Sequence, residues 1–275
     1  MLTFPSFEIR SPATPVPLPD MVPSLFRRAI AWQTRISRRF DRLLPADFRV
    51  DGNLDFLNHL LPSYIAPGAV VYDVGGGKNP AVTPELKSES RLRVIGLDID
   101  ASELASAPLG SYDETVVAEL CSYRGHADAD LVICQALLEH VRDIESALAA
   151  IAGILKPGGR ALVFVPSRNA VFARINLLLP QGLKRKLLNA VFPEWRQNHG
   201  FPAYYDRCTP VLLTRTGARH GLVSEHRRLY FHSEYFSFCS PLHAVWRIWL
   251  LVFRALAGAE AAETFSIVFR KEPRS

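Results

Sequence analysis

Val70-Val71-Tyr72-Asp73-Val74-Gly75-Gly76-Gly77-Lys78-Asn79-Pro80 decides how this chain is to be read. A short apolar run of this kind suits a strand buried on both faces of a parallel sheet. A glycine-rich turn at its carboxyl end lets a ligand come close to the backbone. Runs of the same character recur at residues 93–98, 115–119, 130–134 and 160–165, and again at 222–231 and 263–269. Helical patterns lie between some of them, clearest over 144–155, where Lys156-Pro157-Gly158-Gly159 reads as a stop followed by a tight turn. Strands alternating with helices predict an α/β fold: a Rossmann-like, doubly wound, mostly parallel sheet with helices on both faces.

The chain has 275 residues, which allows one large α/β domain with insertions or two small domains. Three parts are expected. Residues 1–23 carry six prolines and read as an extended arm. Residues 24–61 read as basic amphipathic helices, with six arginines between Arg27 and Arg42. Residues 62–275 form the α/β domain, with a helical insertion at 167–208 and an apolar helical insertion at 232–262. A net charge of +5 is compatible with nucleic acid, an anionic membrane or, first of all, a plain solvated surface. Cys121, Cys134, Cys208 and Cys239 form no C-x-x-C pair and no zinc spacing with His199 or His220, so thiols in a reducing compartment and no metal are expected. The N-terminus shows no basic-then-apolar signal pattern, and Arg247 and Arg254 interrupt the most apolar stretch, which argues against a membrane span. A cytoplasmic protein is the expectation.

The turn itself discriminates between ligands. A dinucleotide site holds an anionic pyrophosphate with glycines and a helix N-terminus, and a carboxylate beside it works against that. Asp73 stands at that place, and Pro80 occupies the position of the third glycine in G-x-G-x-x-G. Both features favour a ligand carrying an ammonium and a sulfonium, S-adenosylmethionine, over a nicotinamide cofactor. Asp98, at the end of the second run, suits paired hydrogen bonds to ribose hydroxyls. Asp100 competes for that role but reads better as the cap of the next turn. Glu119 suits the adenine amino group, with a neighbouring backbone N–H for a ring nitrogen.

Asp73-x-Gly75-x-Gly77, Gly96-Leu97-Asp98-Ile99, Asp130-Leu131-Val132-Ile133, Leu138-Glu139-His140-Val141, Leu155-Lys156-Pro157-Gly158-Gly159 and Val165-Pro166 follow one another at domain-like spacing. In that order they resemble the class I S-adenosylmethionine-dependent methyltransferases, and most closely the small-molecule branch that includes quinone-biosynthesis enzymes. The resemblance covers residues 50–166 well and 209–271 loosely. It implies a strand order 3-2-1-4-5-7-6 with an antiparallel last strand. It also implies that Asp73, Gly75, Gly76 and Gly77 line the methionine end of the cofactor. Asp98 and Ile99 would hold ribose and adenine, Glu119 and Leu120 the adenine edge, and Gln135 the cofactor face. One departure stands out: Pro80 and Pro84 break up the segment where the family has a long helix.

The acceptor side is open to more than one reading. His140 is the candidate general base by its place after the fourth strand, or else an imidazole packed at a helix start. His199, Tyr204 and Tyr205, with Asp206, lie where this branch builds its acceptor pocket. The acceptor implied is small or lipid-linked, and an anionic membrane surface is a second candidate partner. Its basis is that residues 242–256 pattern as a helix with a broad apolar face and a basic stripe of His243, Arg247 and Arg254. Nucleic acid is disfavoured, because Cys134-Gln135-Ala136-Leu137 stands where base-modifying enzymes carry N/D-P-P-F/Y/W. A cofactor-binding protein without turnover and a nicotinamide-dependent oxidoreductase are the competing functions.

Overall fold

A computed structural model describes residues 24–178, 202–232 and 236–273. The chain divides into two compact units. One comprises residues 53–168, 204–228 and 265–275; the other comprises 1–52, 169–203 and 229–264.

The first of these units holds most of a seven-stranded sheet of order β3-β2-β1-β4-β5-β7-β6. Its strands are β1 (Val70–Val74), β2 (Arg93–Asp98), β3 (Glu114–Val117), β4 (Ala129–Gln135), β5 (Leu155–Pro166), β6 (Leu222–Tyr230) and β7 (Thr264–Lys271). β1 runs parallel to both β2 and β4, with Asp73 level with Gly96 on one side and Ile133 on the other. Strand order reverses at β1, so its carboxyl end opens on the switch point where α/β sheets bind ligands. The last pair is antiparallel: Glu263 N donates to Tyr230 O and Glu272 N to Gly221 O, both at 2.9 Å.

Local sequence explains the connecting helices. Thr83 caps α3 (Pro84–Ser90), accepting from Leu86 N, and Pro84 takes the first helical position, where its missing N–H costs nothing. Pro84 thus starts a helix where the sequence reading saw an interruption. Asp100 caps α4 (Ala101–Ala105), Asp143 caps α5 (Ile144–Ile154), and Thr209-Pro210 opens α7 (Pro210–Arg219) in the same manner as α3. Lys156–Gly159 departs from the expected tight turn. β5 begins at Leu155, paired with Ala129, and a register irregularity carries the strand through both glycines. A Cβ on Gly159 would stand 2.8 Å from Ala129 O, so this strand start needs glycine for its close backbone approach.

The other unit contains α1 (Ser24–Asp41), α6 (Val171–Leu178) and α8 (Ser240–Ala257). Its apolar core is Leu44, Phe48, Phe231, Trp246, Leu250, Ala261 and Ala262. α8 carries the apolar face and the basic stripe that the sequence pattern shows, and the structure sets which of them is inside. Arg247 is fully buried: its Nε donates to Asp41 Oδ1 at 2.9 Å, and its terminal nitrogens donate to Phe231 O and Phe48 O, each at 2.5 Å. His243 Nε2 donates to the same carboxylate oxygen at 3.0 Å, and Arg254 pairs with Asp47. Burial pushes the Asp41 carboxyl up, but the His243 hydrogen bond and the Arg247 charge outweigh it and hold it below the usual range. His243 and Arg247 of the basic stripe therefore face inward. Leu242, Val245, Ile248, Trp249, Val252 and Leu256 face out.

Candidate functional site

The turn after β1 is organised by Asp73. Its side chain is 1% exposed, and Oδ2 accepts from Ala81 N at 2.7 Å. Burial pushes this carboxyl up to about 7 against the N–H groups of Ala81 and Val82, with Asp98 nearby adding to the rise. Asp73 thus ties the loop back onto the strand that launches it. The three glycines are then sterically required. A Cβ on Gly76 would meet Asp73 and the Tyr112 hydroxyl at 2.7 Å. Gly75 has φ +77 and would strike the Leu137 side chain at 2.8 Å. Gly77 has φ +47 and lies against Asp98, whose Oδ2 would be 3.2 Å from an added Cβ. These are the contacts of a backbone cradle with no room for side chains.

Asp98 stands at the end of β2 beside that cradle. Its Oδ1 accepts from Asp100 N at 3.0 Å. Burial raises its pKa, opposed by the N–H groups of Asp100 and Ile99 and reinforced by Glu103. Asp100 is engaged elsewhere: its Oδ1 accepts from Ser102 N at 2.8 Å and from Ser102 Oγ at 2.6 Å. Of the two acids, only Asp98 borders the glycine cradle. Ile99 is 58% exposed at the strand end, Glu119 is exposed, and Leu120 is buried at the start of a short 3-10 turn. Gln135, at the end of β4, donates through Nε2 to Asn53 Oδ1 at 2.6 Å.

Beyond β4 the backbone is strained. Ala136, Tyr205 and Arg207 adopt φ of +49, +52 and +48 without being glycine. Glu139 O accepts from Tyr204 N at 2.7 Å and from Tyr205 N at 3.0 Å, which joins the loop after β4 to the 204–206 segment. His140 closes this loop's 3-10 turn, with Nε2 3.8 Å from Glu139 Oε1. Burial pushes the Glu139 carboxyl up to about 8, and its Oε2 has no hydrogen-bond partner among the described residues. Tyr204 lies under the Arg142 guanidinium, 4.8 Å from its ring centre, while Tyr205 is buried. Asp206 accepts from Ile144 N at 3.2 Å. His199 lies outside the described residues.

Two participants escaped the sequence reading. Tyr112 reaches across Gly96, where an added Cβ would be 2.9 Å from its ring, and donates to Gly77 O at 3.0 Å. The only advance signal for it was a glycine inside β2, a mark of close approach. Glu139 stood in a quoted motif but gave no sign of being buried. Among the described residues, no cluster of His, Cys, Asp and Glu is placed to hold a metal ion.

Carboxylates border the cradle on two sides, an apolar side chain stands at its edge, and the glycine turn leaves backbone open to close approach. Residues 72–163 match a family model described as a methyltransferase domain. A ubiquinone biosynthesis O-methyltransferase of Pectobacterium atrosepticum is 34% identical over 110 residues, covering 38% of this chain and 45% of that one. The Sodalis glossinidius enzyme of the same name is 31% identical over 147 residues, covering 48% and 58%. The chain thus spans about half the length of the curated relatives it matches. Among solved structures, a SAM-dependent methyltransferase from Archaeoglobus fulgidus superposes with a TM-score of 0.52 at 16% identity, over 82% of this chain and 96% of that one. One from Mesorhizobium loti gives 0.52 at 16%, over 82% and 100%. At that identity the two structures speak to the fold.

Proposed function

We propose that this chain, a class I S-adenosylmethionine-dependent methyltransferase by its sheet order and matched domain, methylates an oxygen of a small, lipid-linked acceptor. The observation that carries the reading is the Asp73–Gly77 cradle with Asp98 beside it. Its acids suit the ammonium and ribose of S-adenosylmethionine and oppose a pyrophosphate. The relatives that are ubiquinone biosynthesis O-methyltransferases support an oxygen acceptor on a ring with an apolar tail. Such an acceptor is met at a membrane, which makes an anionic membrane surface and a place at the cytoplasmic face part of the same proposal.

S-adenosylmethionine supplies a methyl carbon already activated by its sulfonium leaving group. The chain's task is alignment and exclusion of water. Asp73 would fix the turn that meets the methionine end. Asp98 would accept from the ribose hydroxyls, and Ile99 would lie against the adenine face. Glu119 and the Leu120 backbone would meet the adenine edge, and Gln135, held by Asn53, the face after β4. Tyr204 and Tyr205 would wall the acceptor side. His140 would take the acceptor hydroxyl proton, a step needed where that oxygen is protonated at working pH. Glu139, buried beside it, would orient the imidazole.

Calorimetry with S-adenosylmethionine tests the cofactor half. Asp98→Ala removes a pair of hydrogen bonds to a charged group, each worth about 1.5–3 kcal/mol, so affinity should fall at least tenfold with the fold intact. Unchanged affinity in Asp98→Ala, with loss in Asp100→Ala, would overturn the assignment. Transfer of labelled methyl to hydroxylated aromatic rings with and without apolar tails tests the acceptor half.

A further inference from the structure

α8 breaks the usual rule for a surface helix. Of its two charged residues, Arg247 turns inward to Asp41, and Arg254, half-exposed, lies over Phe231 and pairs with Asp47. His243 turns inward to Asp41 as well. The opposite face carries no charge along the helix. Val245 is 67% exposed, Leu256 80%, and Leu242, Ile248, Trp249 and Val252 lie between them on the same arc. A water-facing helix ordinarily shows the reverse arrangement. A contiguous apolar face of this kind marks an interaction surface.

Charge in the same unit indicates what the face meets. α1 packs on α8 through Gln33, which accepts from Ser240 N at 2.9 Å, and through Asp41. Those residues occupy one side of α1. The other side exposes Arg28, Arg35 and Arg39 together with Trp32, and Arg42 is exposed just after the helix. An apolar helix face beside an exposed arginine row with a tryptophan is the composition that anionic bilayer interfaces attract. A protein partner or a second copy of this chain would need acidic groups opposite those arginines.

Resting on the lipid-linked acceptor proposed above, we infer that α8 lies in the plane of an anionic phospholipid bilayer. Leu242, Val245, Ile248, Trp249, Val252 and Leu256 enter the acyl boundary, and the α1 arginines sit on head groups. Residues Ser240–Ala261 are long and apolar enough to cross a membrane. Crossing would carry Arg247 and its bonded Asp41 into hydrocarbon, whereas lying flat leaves that ion pair inside the protein.

The test uses the full chain and vesicles of phosphatidylcholine with about one third phosphatidylglycerol, compared with phosphatidylcholine alone. Expected results are flotation with the anionic vesicles at low salt, at least tenfold weaker at high salt, and quenching of Trp249 by lipids brominated in the acyl chain, absent in Trp249→Phe. Val245→Glu with Trp249→Glu should reduce partitioning at least tenfold with an unchanged unfolding midpoint. If that pair unfolds the protein, Ile248→Ser with Leu256→Ser serves instead. No flotation at low salt overturns the proposal, as does flotation that these substitutions leave intact. So does a concentration-dependent dimer that they dissociate without any vesicle binding. Calorimetry with S-adenosylmethionine on the same variants separates the two readings: intact cofactor binding with lost flotation supports the surface independently of the site, and flotation by a chain that binds no S-adenosylmethionine retains the surface while the functional reading falls.

Discussion

Asp73 and Arg247 are both buried charges, one in each unit, and they are solved differently. Asp73 is answered by backbone N–H groups of the loop it anchors, so its burial shapes the turn after β1. Arg247 is answered by a carboxylate, two backbone carbonyls and the faces of Phe48 and Trp246, so its burial fixes the rotation of a whole helix. The first is local and shapes a loop. The second is long-range and serves orientation. A buried ion pair is seldom the most stable filling for a core, and its best-attested use is to select one arrangement among several.

The contrast breaks most easily at Arg247. Arg247→Leu leaves Asp41 with only His243, Asp41→Leu leaves the buried guanidinium without a carboxylate, and each should cost about 3–5 kcal/mol in urea unfolding. The double replacement should recover most of that loss. If the singles cost no more than a surface substitution, the pair does not set the orientation of α8.

Gly75→Val probes the other region. The φ of +77 and the Leu137 contact should cost about 1–3 kcal/mol of stability. Affinity for S-adenosylmethionine should fall by more than the stability change accounts for. Calorimetry showing normal binding would remove the cradle from the site.

Glu139 gives the most diagnostic signal. Its carboxyl titrates at 4.5 when unfolded and near 8 when folded. Both states hold the proton below pH 4.5, and only the folded state holds it between 4.5 and about 8. Its contribution to stability is therefore fully present below pH 4.5 and is lost as pH rises toward 8. Thermal melts from pH 5 to 9 should show this decline, and Glu139→Gln should flatten it. An unchanged slope in the variant would place the titration elsewhere.

The sheet and its cradle could be read in advance because their signals are local. Apolar runs ending in Asp73 or Asp98, and glycines next to them, state both the strand and its exit. α8 could not be read in this way. Periodicity shows that a helix has two faces, but nothing in residues 240–257 says which one is inside. That choice depends on Asp41, some two hundred residues earlier. Tyr112 escaped for the same reason, since its partner Gly77 is 35 residues away. Glu139 was quoted as part of a motif, yet the residues that bond its backbone carbonyl, Tyr204 and Tyr205, lie far along the chain.

The division of the chain also bears on synthesis. It passes between the two units at 52/53, 168/169, 203/204, 228/229 and 264/265. Asp41 and Arg247 are separated by 206 residues. On a ribosome adding about 5–20 residues per second, α1 emerges roughly 10–40 s before the guanidinium that completes its packing. During that interval its inward side, with Asp41, has no α8 to meet. The rotation of α8 is therefore set only once residue 247 has been made, against a helix synthesised long before it.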